Sequence, residues 1–200
     1  MNGLQTLLLL VFLCTCVSAH AQTPMLATKL EKSWEQQQRW QELNELDGRF
    51  RLLAPQELQH AIDTVVTELG EQVFHTFHLQ SPDKNTAENI IYALSYVDYP
   101  SGSIHHDSLE LVSEFLVNTE EEAAVAVGGE VIYAADKSLT GYPARQWRID
   151  YNGGRASART LAVVAGNRYY ELKVFSLTGA GVNKSADRFF DSLRLFSPPE

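Results

Sequence analysis

The chain has 200 residues, of which 44% are hydrophobic, and it carries a formal net charge of −9. This acidity argues against nucleic acid and anionic membrane surfaces as partners, because both are bound through basic patches. The length is enough for one domain with a substantial hydrophobic core.

The first 21 residues have the pattern of a secretory signal peptide. Their apolar run, residues 7–17, is shorter than a membrane-spanning helix, which needs about 20 residues. It is followed by Ala19-His20-Ala21, an A-x-A arrangement that suits signal peptidase. Residues 1–6 contain no Lys or Arg, which departs from the usual basic start. The sequence therefore predicts cleavage near Ala21, a secreted or periplasmic protein, and no transmembrane segment after cleavage.

Both cysteines, Cys14 and Cys16, lie in this segment. The mature protein would then have no disulfide and no thiol, and its stability would come from a conventional core. A lipoprotein would carry its lipid on Cys16, but Thr15 is a poor fit to the small residue expected before such a cysteine. We therefore do not expect a lipid anchor.

Residues 22–46 form a polar leader ahead of the globular pattern. Leu26, Leu30 and Trp34 fall at helical spacing, and Trp40 and Leu43 make a second such pair. The leader is interpreted either as a helix leaning on the domain or as a partly ordered segment.

The globular pattern begins at residue 47, and its first half indicates strands. Alternating side chains predict a strand that Pro55 ends. Residues 62–70 and 71–80 are rich in β-branched and aromatic residues and are separated at Gly70, which predicts a hairpin. Residues 90–97 are largely apolar on both faces, which predicts a central strand covered on both sides.

The period then changes to that of a helix over residues 104–127. Asp107 lies near its start, where a carboxylate can cap free N–H groups, and Gly128-Gly129 end it. The side predicted to face the sheet consists of Ile104, Ser108, Leu111, Val112, Phe115, Thr119 and Ala123.

The second half predicts four strands and a closing helix. The strands cover residues 130–139, 144–151, 158–165 and 168–177, and their short connections make neighbours antiparallel. The closing helix would bury Ala186, Phe189, Phe190 and Leu193, with Asn183 or Ser185 as its N-cap. The predicted fold is therefore α+β, an antiparallel sheet of about six to eight strands flanked by helices.

Three stretches of this pattern resemble the PsbP domain. "DGRFRLLAP" is similar to its first strand, which also runs into a proline, and "GNRYYELKVF" with "ADRFFDSLRLF" is similar to its last strand and helix. "GYPARQWRIDY" resembles the G-x-P-G-R-E stretch of bacterial relatives, with Ala144 for Gly and Gln146 for Glu. The resemblance covers residues 47–196, and its motifs mostly concern the fold.

This resemblance implies a Mog1/PsbP-type α/β/α sandwich. Family members of known role are non-catalytic: they dock on a photosystem or bind a small GTPase. Neither role suits an exported chain without a chloroplast transit composition, and the family offers no catalytic residue to carry over. We therefore do not expect an enzyme.

One loop gathers candidate ligand-binding residues: Asp98, His105, His106 and Asp107. Two imidazoles and two carboxylates could bind a divalent cation or perform acid–base chemistry. The alternative is a loop that precedes a helix, with Asp107 as its cap and the histidines exposed to water.

Other motifs predict no metal, cofactor or catalytic residue. His75 and His78 are three apart on a strand, so they point to opposite faces and cannot share an ion. The zinc motif H-E-x-x-H, the nucleophile motif G-x-S-x-G and the spacing of a phosphate-binding loop are all absent.

A docking surface is the remaining candidate. Arg145, Arg148, Arg159 and Arg168 lie in or beside three adjacent predicted strands, where they would form a positive stripe if they face water. Tyrosines on the same strands would add to an interface, or they would belong to the core.

These observations predict an exported, non-catalytic binding or accessory protein. Its partner would be another protein or a cell-envelope component, and not nucleic acid. The alternative is a small-ligand or metal-binding carrier that uses the loop from Asp98 to Asp107.

Overall fold

The computed structural model describes residues 40–68, 70–84 and 87–196. These residues contain ten strands, two α-helices and a short 3-10 helix at Thr178–Ala180. In chain order the elements are β1 (Gln41–Glu45), β2 (Phe50–Ala54), β3 (Gln59–Thr67), β4 (Gly70–Gln80), β5 (Ile91–Asp98), α1 (Leu109–Val127), β6 (Glu130–Leu139), β7 (Tyr142–Tyr151), β8 (Ala156–Ala165), β9 (Arg168–Leu177), α2 (Lys184–Ser192) and β10 (Arg194–Leu195).

The main sheet has seven antiparallel strands in the order β3-β4-β5-β9-β8-β7-β6. The predicted α+β fold is confirmed, and so are the hairpin of β3 and β4, the central position of β5 and the four consecutive antiparallel strands β6 to β9. Tight turns impose this order. Between β8 and β9, for example, Gly166 adopts a φ of 68°, which a residue with a Cβ rarely does.

A second sheet of three strands, in the order β1-β2-β10, was not predicted. Its strand β1 lies in the polar leader, for which the sequence favours either a helix or a partly ordered segment. A helix is wrong for residues 41–45, which form a strand, and residues 22–39 lie outside the described part. Pairing with β2, from Gln41 opposite Ala54 to Glu45 opposite Phe50, satisfies the backbone groups of β1 that face β2. It also packs Trp40 and Leu43 against the core.

Two apolar layers cover the main sheet. On one face α1 packs against it, and the buried residues there include Val112, Leu116 and Trp147. On the other face the three-stranded sheet and α2 pack against it, and Phe50, Phe189 and Leu172 belong to this larger cluster. The two faces are called the α1 side and the α2 side below.

The helix α1 differs from its prediction at its start and in its buried face. It begins at Leu109, with Ser108 as a cap residue whose side chain makes no capping bond, so Asp107 does not cap it. The buried positions are Val112, Leu116 and Glu120, whereas Leu111 is exposed. The helix ends as predicted at Gly128, which is left-handed with a φ of 59°.

The closing helix α2 matches its prediction at its start and in its buried face, but it ends at Ser192, so the buried Leu193 follows it as the C-cap. Asn183 is the N-cap, and its side-chain oxygen accepts a 2.7 Å hydrogen bond from the Ala186 N–H. Ala186, Phe189 and Phe190 are buried against the sheet. The helix therefore closes the α2 side of the domain.

Candidate functional sites

Asp98 does not join the histidines of its loop. Its carboxylate accepts two hydrogen bonds from the Arg168 guanidinium, at 2.7 Å from Nε and 2.6 Å from Nη2. These bonds lower the pKa of Asp98, because they stabilise the ionised form. Arg168 also donates to the Asp47 carbonyl and stacks over the Tyr96 ring. This ion pair therefore ties β5 and β9 to the turn before β2.

The other three residues of the predicted site do come together. One ligand atom from each of His105, His106 and Asp107 lies within 4.8 Å of the others. The Asp107 carboxylate is 3.3 Å from His105 Nδ1 and 3.3 Å from His106 Nε2. The Asp107 side chain is 78% exposed, so water competes for all of these contacts.

His106 is bonded to the backbone in a way that opposes metal binding. The ring Nδ1 of His106 accepts a 3.0 Å hydrogen bond from the Gly166 N–H, and the backbone N–H of His106 donates to the Gly166 carbonyl at 3.0 Å. An Nδ1 that accepts places the proton of the neutral ring on Nε2, which faces Asp107. If a metal bound to Nε2, the proton of the neutral ring would move to Nδ1, and the hydrogen bond from the Gly166 N–H to Nδ1 would be lost. The geometry therefore assigns His106 to fastening its loop onto the β8–β9 turn.

A second contact fastens the same loop. The Tyr99 N–H donates to the Asn167 carbonyl at 2.9 Å, and Asn167 Nδ2 donates to the Tyr99 carbonyl at 2.5 Å. Together with His106, these bonds hold both ends of the loop to the turn between β8 and β9.

The four predicted arginines do not form an exposed positive stripe. Arg145 lies on the α1 side, where it bonds Glu120 and Asp136 at 2.5 and 2.6 Å. The other three are spread along the α2 side, and all four side chains are only 8–16% exposed. Their carboxylate partners are Asp150 for Arg148, Asp187 for Arg159 and Asp98 for Arg168. Each guanidinium is therefore paired inside the fold, and the condition for a docking stripe is not met.

Four tyrosines of the predicted strands are likewise enclosed in the fold. Tyr92, Tyr96, Tyr169 and Tyr170 are all buried. Tyr170 donates a 2.8 Å hydrogen bond to the Gly48 carbonyl, and Tyr92 packs edge-on against Phe189. These four rings belong to the core and do not form an interface.

A pair of histidines that the sequence analysis did not predict lies on the α2 side. His60 Nε2 and His75 Nδ1 are 3.3 Å apart, and the ring centres are 5.5 Å apart. His60 stacks on Phe77 and His75 on Tyr96. Burial lowers the pKa of His75, and so do the neighbouring charges of His60 and Arg168. Only the cross-strand register brings these two residues together, which is why spacing along the sequence did not reveal them.

A polar groove lies at the open end of the β3–β4 hairpin, away from the turn that joins the two strands. It consists of adjoining cavities of about 210 and 500 Å³ that share Gln56, Leu79, Ser81 and Pro82. At its floor, Asn89 Nδ2 donates to the Tyr92 hydroxyl at 2.7 Å. The Asn89 side-chain oxygen also accepts hydrogen bonds from the Ser176 hydroxyl and from Asn183 Nδ2. These buried groups hold one another in place.

The end of the β3–β4 hairpin projects beyond the sheet. β4 pairs with β5 only from His75 onward, opposite Tyr96. Among the described residues, 63–68 and 70–74 therefore have no strand on the β5 side, and together with Ile62 and His75 at their base they are called the hairpin arm below. On its α2 side, Ile62, Val66 and Val73 are 58%, 82% and 41% exposed. These three residues and Thr64 are called the arm face.

Comparison with known proteins identifies the fold. No protein-family model matches the sequence, and no curated protein matches it. The solution structure of cyanobacterial PsbP (CyanoP) from Synechocystis sp. PCC 6803 does superpose, with a TM-score of 0.54 at 9% identity. That match covers 78% of this chain and 92% of CyanoP. The chain has a PsbP-like fold.

Two weaker matches to this PsbP-like domain come from other bacteria. A crystal structure from Bacteroides thetaiotaomicron VPI-5482 gives a TM-score of 0.42 at 13% identity, covering 74% of this chain and 45% of the other. The protein of unknown function PA94 from Pseudomonas aeruginosa gives a TM-score of 0.34 at 10% identity, covering 71% of this chain and 85% of the other.

Within the described residues of the PsbP-like domain, no helix has the length and apolar character needed to cross a membrane.

Proposed function

We propose that this PsbP-like protein is exported and acts by binding another protein through the arm face, without catalysing a reaction. The observation that carries the proposal is the arm itself, whose exposed apolar side chains lie on a projecting hairpin. Contiguous exposed apolar groups on a folded domain are typical of interaction sites.

The polar side chains that are candidates for binding a ligand are engaged within the fold, which supports the same proposal. Asp98 is neutralised by Arg168, and His106 is bonded to Gly166 on both its backbone and its ring. The four arginines have carboxylate partners within the fold. These groups are engaged with one another inside the fold, so they are poorly available to a small ligand or a substrate.

Export rests on the first 21 residues, whose apolar run and A-x-A site have the form of a signal peptide. We expect the mature protein to begin at Gln22. Mass spectrometry of the protein from the native cell envelope or culture medium tests this. A protein that retains residue 1, or that is found only inside the cell, would contradict export.

The binding proposal is tested by affinity capture from envelope extracts of the native organism. The wild-type protein is compared with the double variant Ile62→Asp, Val73→Asp. The control is Leu111→Asp, Val125→Asp, which places the same charges at exposed apolar positions of α1. We expect the arm variant to lose a stoichiometric protein partner that the wild type and the control retain.

Metal content of the same preparations tests the alternative function. We expect no stoichiometric metal at His105, His106 and Asp107, because Nδ1 of His106 accepts from Gly166. One equivalent of metal, lost on replacing His105 and Asp107 and accompanied by no protein partner, would contradict the proposal.

A further inference from the structure

The two edges of the main sheet are built differently. The edge strand β6 carries a register irregularity between Val131 and Tyr133 and a lysine at Lys137. Such bulges and lysines are the usual means by which proteins stop edge strands from pairing with other chains. The other edge strand, β3, pairs with β4 without any irregularity, and its sequence QHAIDTVVT contains no Pro, Lys or Arg. By these criteria β3 is unprotected.

The hairpin geometry shows which backbone groups of β3 face outward. Thr67 is opposite Gly70, and two residues separate them. In a two-residue hairpin this closing pair is hydrogen-bonded, and the bonded pairs then alternate along the ladder. Thr67, Val65 and Asp63 therefore bond to β4. The N–H and C=O groups of Val66, Thr64, Ile62 and His60 point away from the sheet.

The outward edge is complementary to itself. When two copies of β3 run antiparallel about an axis at Thr64, Ile62 lies opposite Val66 of the second copy. His60 lies opposite Glu68 of the second copy, which pairs a base with an acid. A register centred on Asp63 would place two carboxylates opposite each other, which is destabilising. The Thr64 register places Asp63 opposite Val65 instead.

We propose that two copies of this chain pair through β3, antiparallel and centred on Thr64. The pairing joins the two seven-stranded sheets into one continuous sheet. It also brings the two arm faces side by side on the α2 side. This inference goes beyond the proposed function and holds whether or not a further protein binds there.

Cysteine cross-linking tests the register. In a background with Cys14→Ser and Cys16→Ser, the variants Ile62→Cys and Val66→Cys are prepared separately and then mixed. Opposite residues in a hydrogen-bonded antiparallel pair have Cα atoms about 5.5 Å apart, within disulfide range. Residue 62 and its own copy would be four residues apart, about 14 Å, and so would residue 66 and its copy. We expect disulfide-linked dimers in the oxidised mixture and none in either variant alone.

Sedimentation velocity tests the dimer itself. We expect concentration-dependent dimerisation of the wild type, and a dissociation constant raised at least about tenfold by Thr64→Lys, which sets two like charges opposite each other. The matched control Ser138→Lys adds the same charge to the other edge strand and is expected to leave the dimer unchanged.

A wild-type protein that stays monomeric at millimolar concentration would overturn the proposal. So would a dimer that survives Thr64→Lys, or cross-linking by either cysteine variant alone. The variant Val73→Asp, whose substituted side chain is on β4, separates this proposal from partner binding. We expect it to weaken partner capture while the dimer persists.

Discussion

Phe189 is fully buried at the centre of the contact between α2 and the main sheet. Its ring meets Tyr92 edge-on at 5.2 Å and Phe190 at 6.0 Å. Replacing it by alanine leaves a cavity that the rigid sheet cannot fill, so Phe189→Ala should lower the free energy of unfolding by about 3–5 kcal/mol. Urea denaturation measures this, with Asp191→Ala as an exposed control on the same helix. A loss below about 1 kcal/mol would show that Phe189 is not a core residue.

His106 allows a test of its structural role. His106→Ala removes the Nδ1 acceptor of the Gly166 N–H, whereas His106→Asn keeps an oxygen acceptor near the same place. We expect the Gly166 amide to exchange with solvent deuterium faster in the alanine variant, and to stay protected in the asparagine variant. Equal exchange in both variants would contradict the assignment.

His75 predicts the direction of one pH effect. Its folded-state pKa is lowered below the ordinary value of 6.5, by burial first and then by the charges of His60 and Arg168, although Asp98 and Glu45 oppose the shift. The unfolded chain therefore binds the proton more readily. The contribution of His75 to stability is present above pH 6.5 and declines as the pH falls through 6.5 towards the folded-state value.

Urea unfolding between pH 8 and pH 5 measures this effect. We expect the free energy of unfolding to decrease less steeply with falling pH in His75→Gln than in the wild type. The control His78→Gln alters a histidine on the opposite face of the same strand. A slope unchanged by His75→Gln would contradict the shift.

Arg145 and Glu120 connect β7 to α1 through one buried ion pair. Removing one partner leaves the other charge buried and unpaired, which typically costs about 3–5 kcal/mol. We expect this loss from Arg145→Met, and recovery of most of it in the double variant Arg145→Met, Glu120→Leu. Arg155→Met is the control, because Arg155 is exposed and bonds within its own turn. A double variant no more stable than the single one would show that the pair is not the cause.

The elements that repeat a local pattern could be predicted from the sequence. β5 and β8 are apolar on both faces, and glycine turns separate the strands of the second half, so their order followed directly. The strands β1 and β10 are short and mostly polar, and they exist because β2 offers them two edges. The pairing of β10 with β2 joins residues about 145 positions apart, such as Phe50 and Leu195, so no local signal could show it. The pairing of β1 with β2 is a local hairpin that closes with Glu45 opposite Phe50, but the polar sequence of β1 has no strand pattern of its own.

The candidate sites were harder to predict for the same reason. The grouping of His105, His106 and Asp107 follows from adjacency, and the structure brings them together. Three of the four arginines have partners that are distant in sequence. Arg168 pairs with Asp98, 70 positions away, and Arg145 pairs with Glu120, 25 positions away. Arg148 has a near partner, Asp150, two positions along the same strand. The row of arginines predicts a stripe because most of the carboxylates that neutralise it cannot be identified from neighbouring sequence.

The domain as a whole consists of a tightly packed body and a hairpin arm that is exposed to water. Three features stabilise the PsbP-like fold: the two apolar layers, the hydrogen bonds between His106 and Gly166, and the buried ion pairs. The hairpin arm extends past β5 and keeps apolar side chains in water. Because exposed apolar groups contribute little to the stability of an isolated domain, their place on the arm is explained best by an interaction.

Site-specific photo-cross-linking in the native organism tests this claim most directly. A photoreactive side chain is placed at Val73 on the arm face or at Leu111 on α1, two positions that are 41% and 44% exposed. We predict that position 73 gives one discrete cross-linked product with another envelope protein, and that position 111 does not. No product with another protein from position 73, or the same product from both positions, would contradict the account.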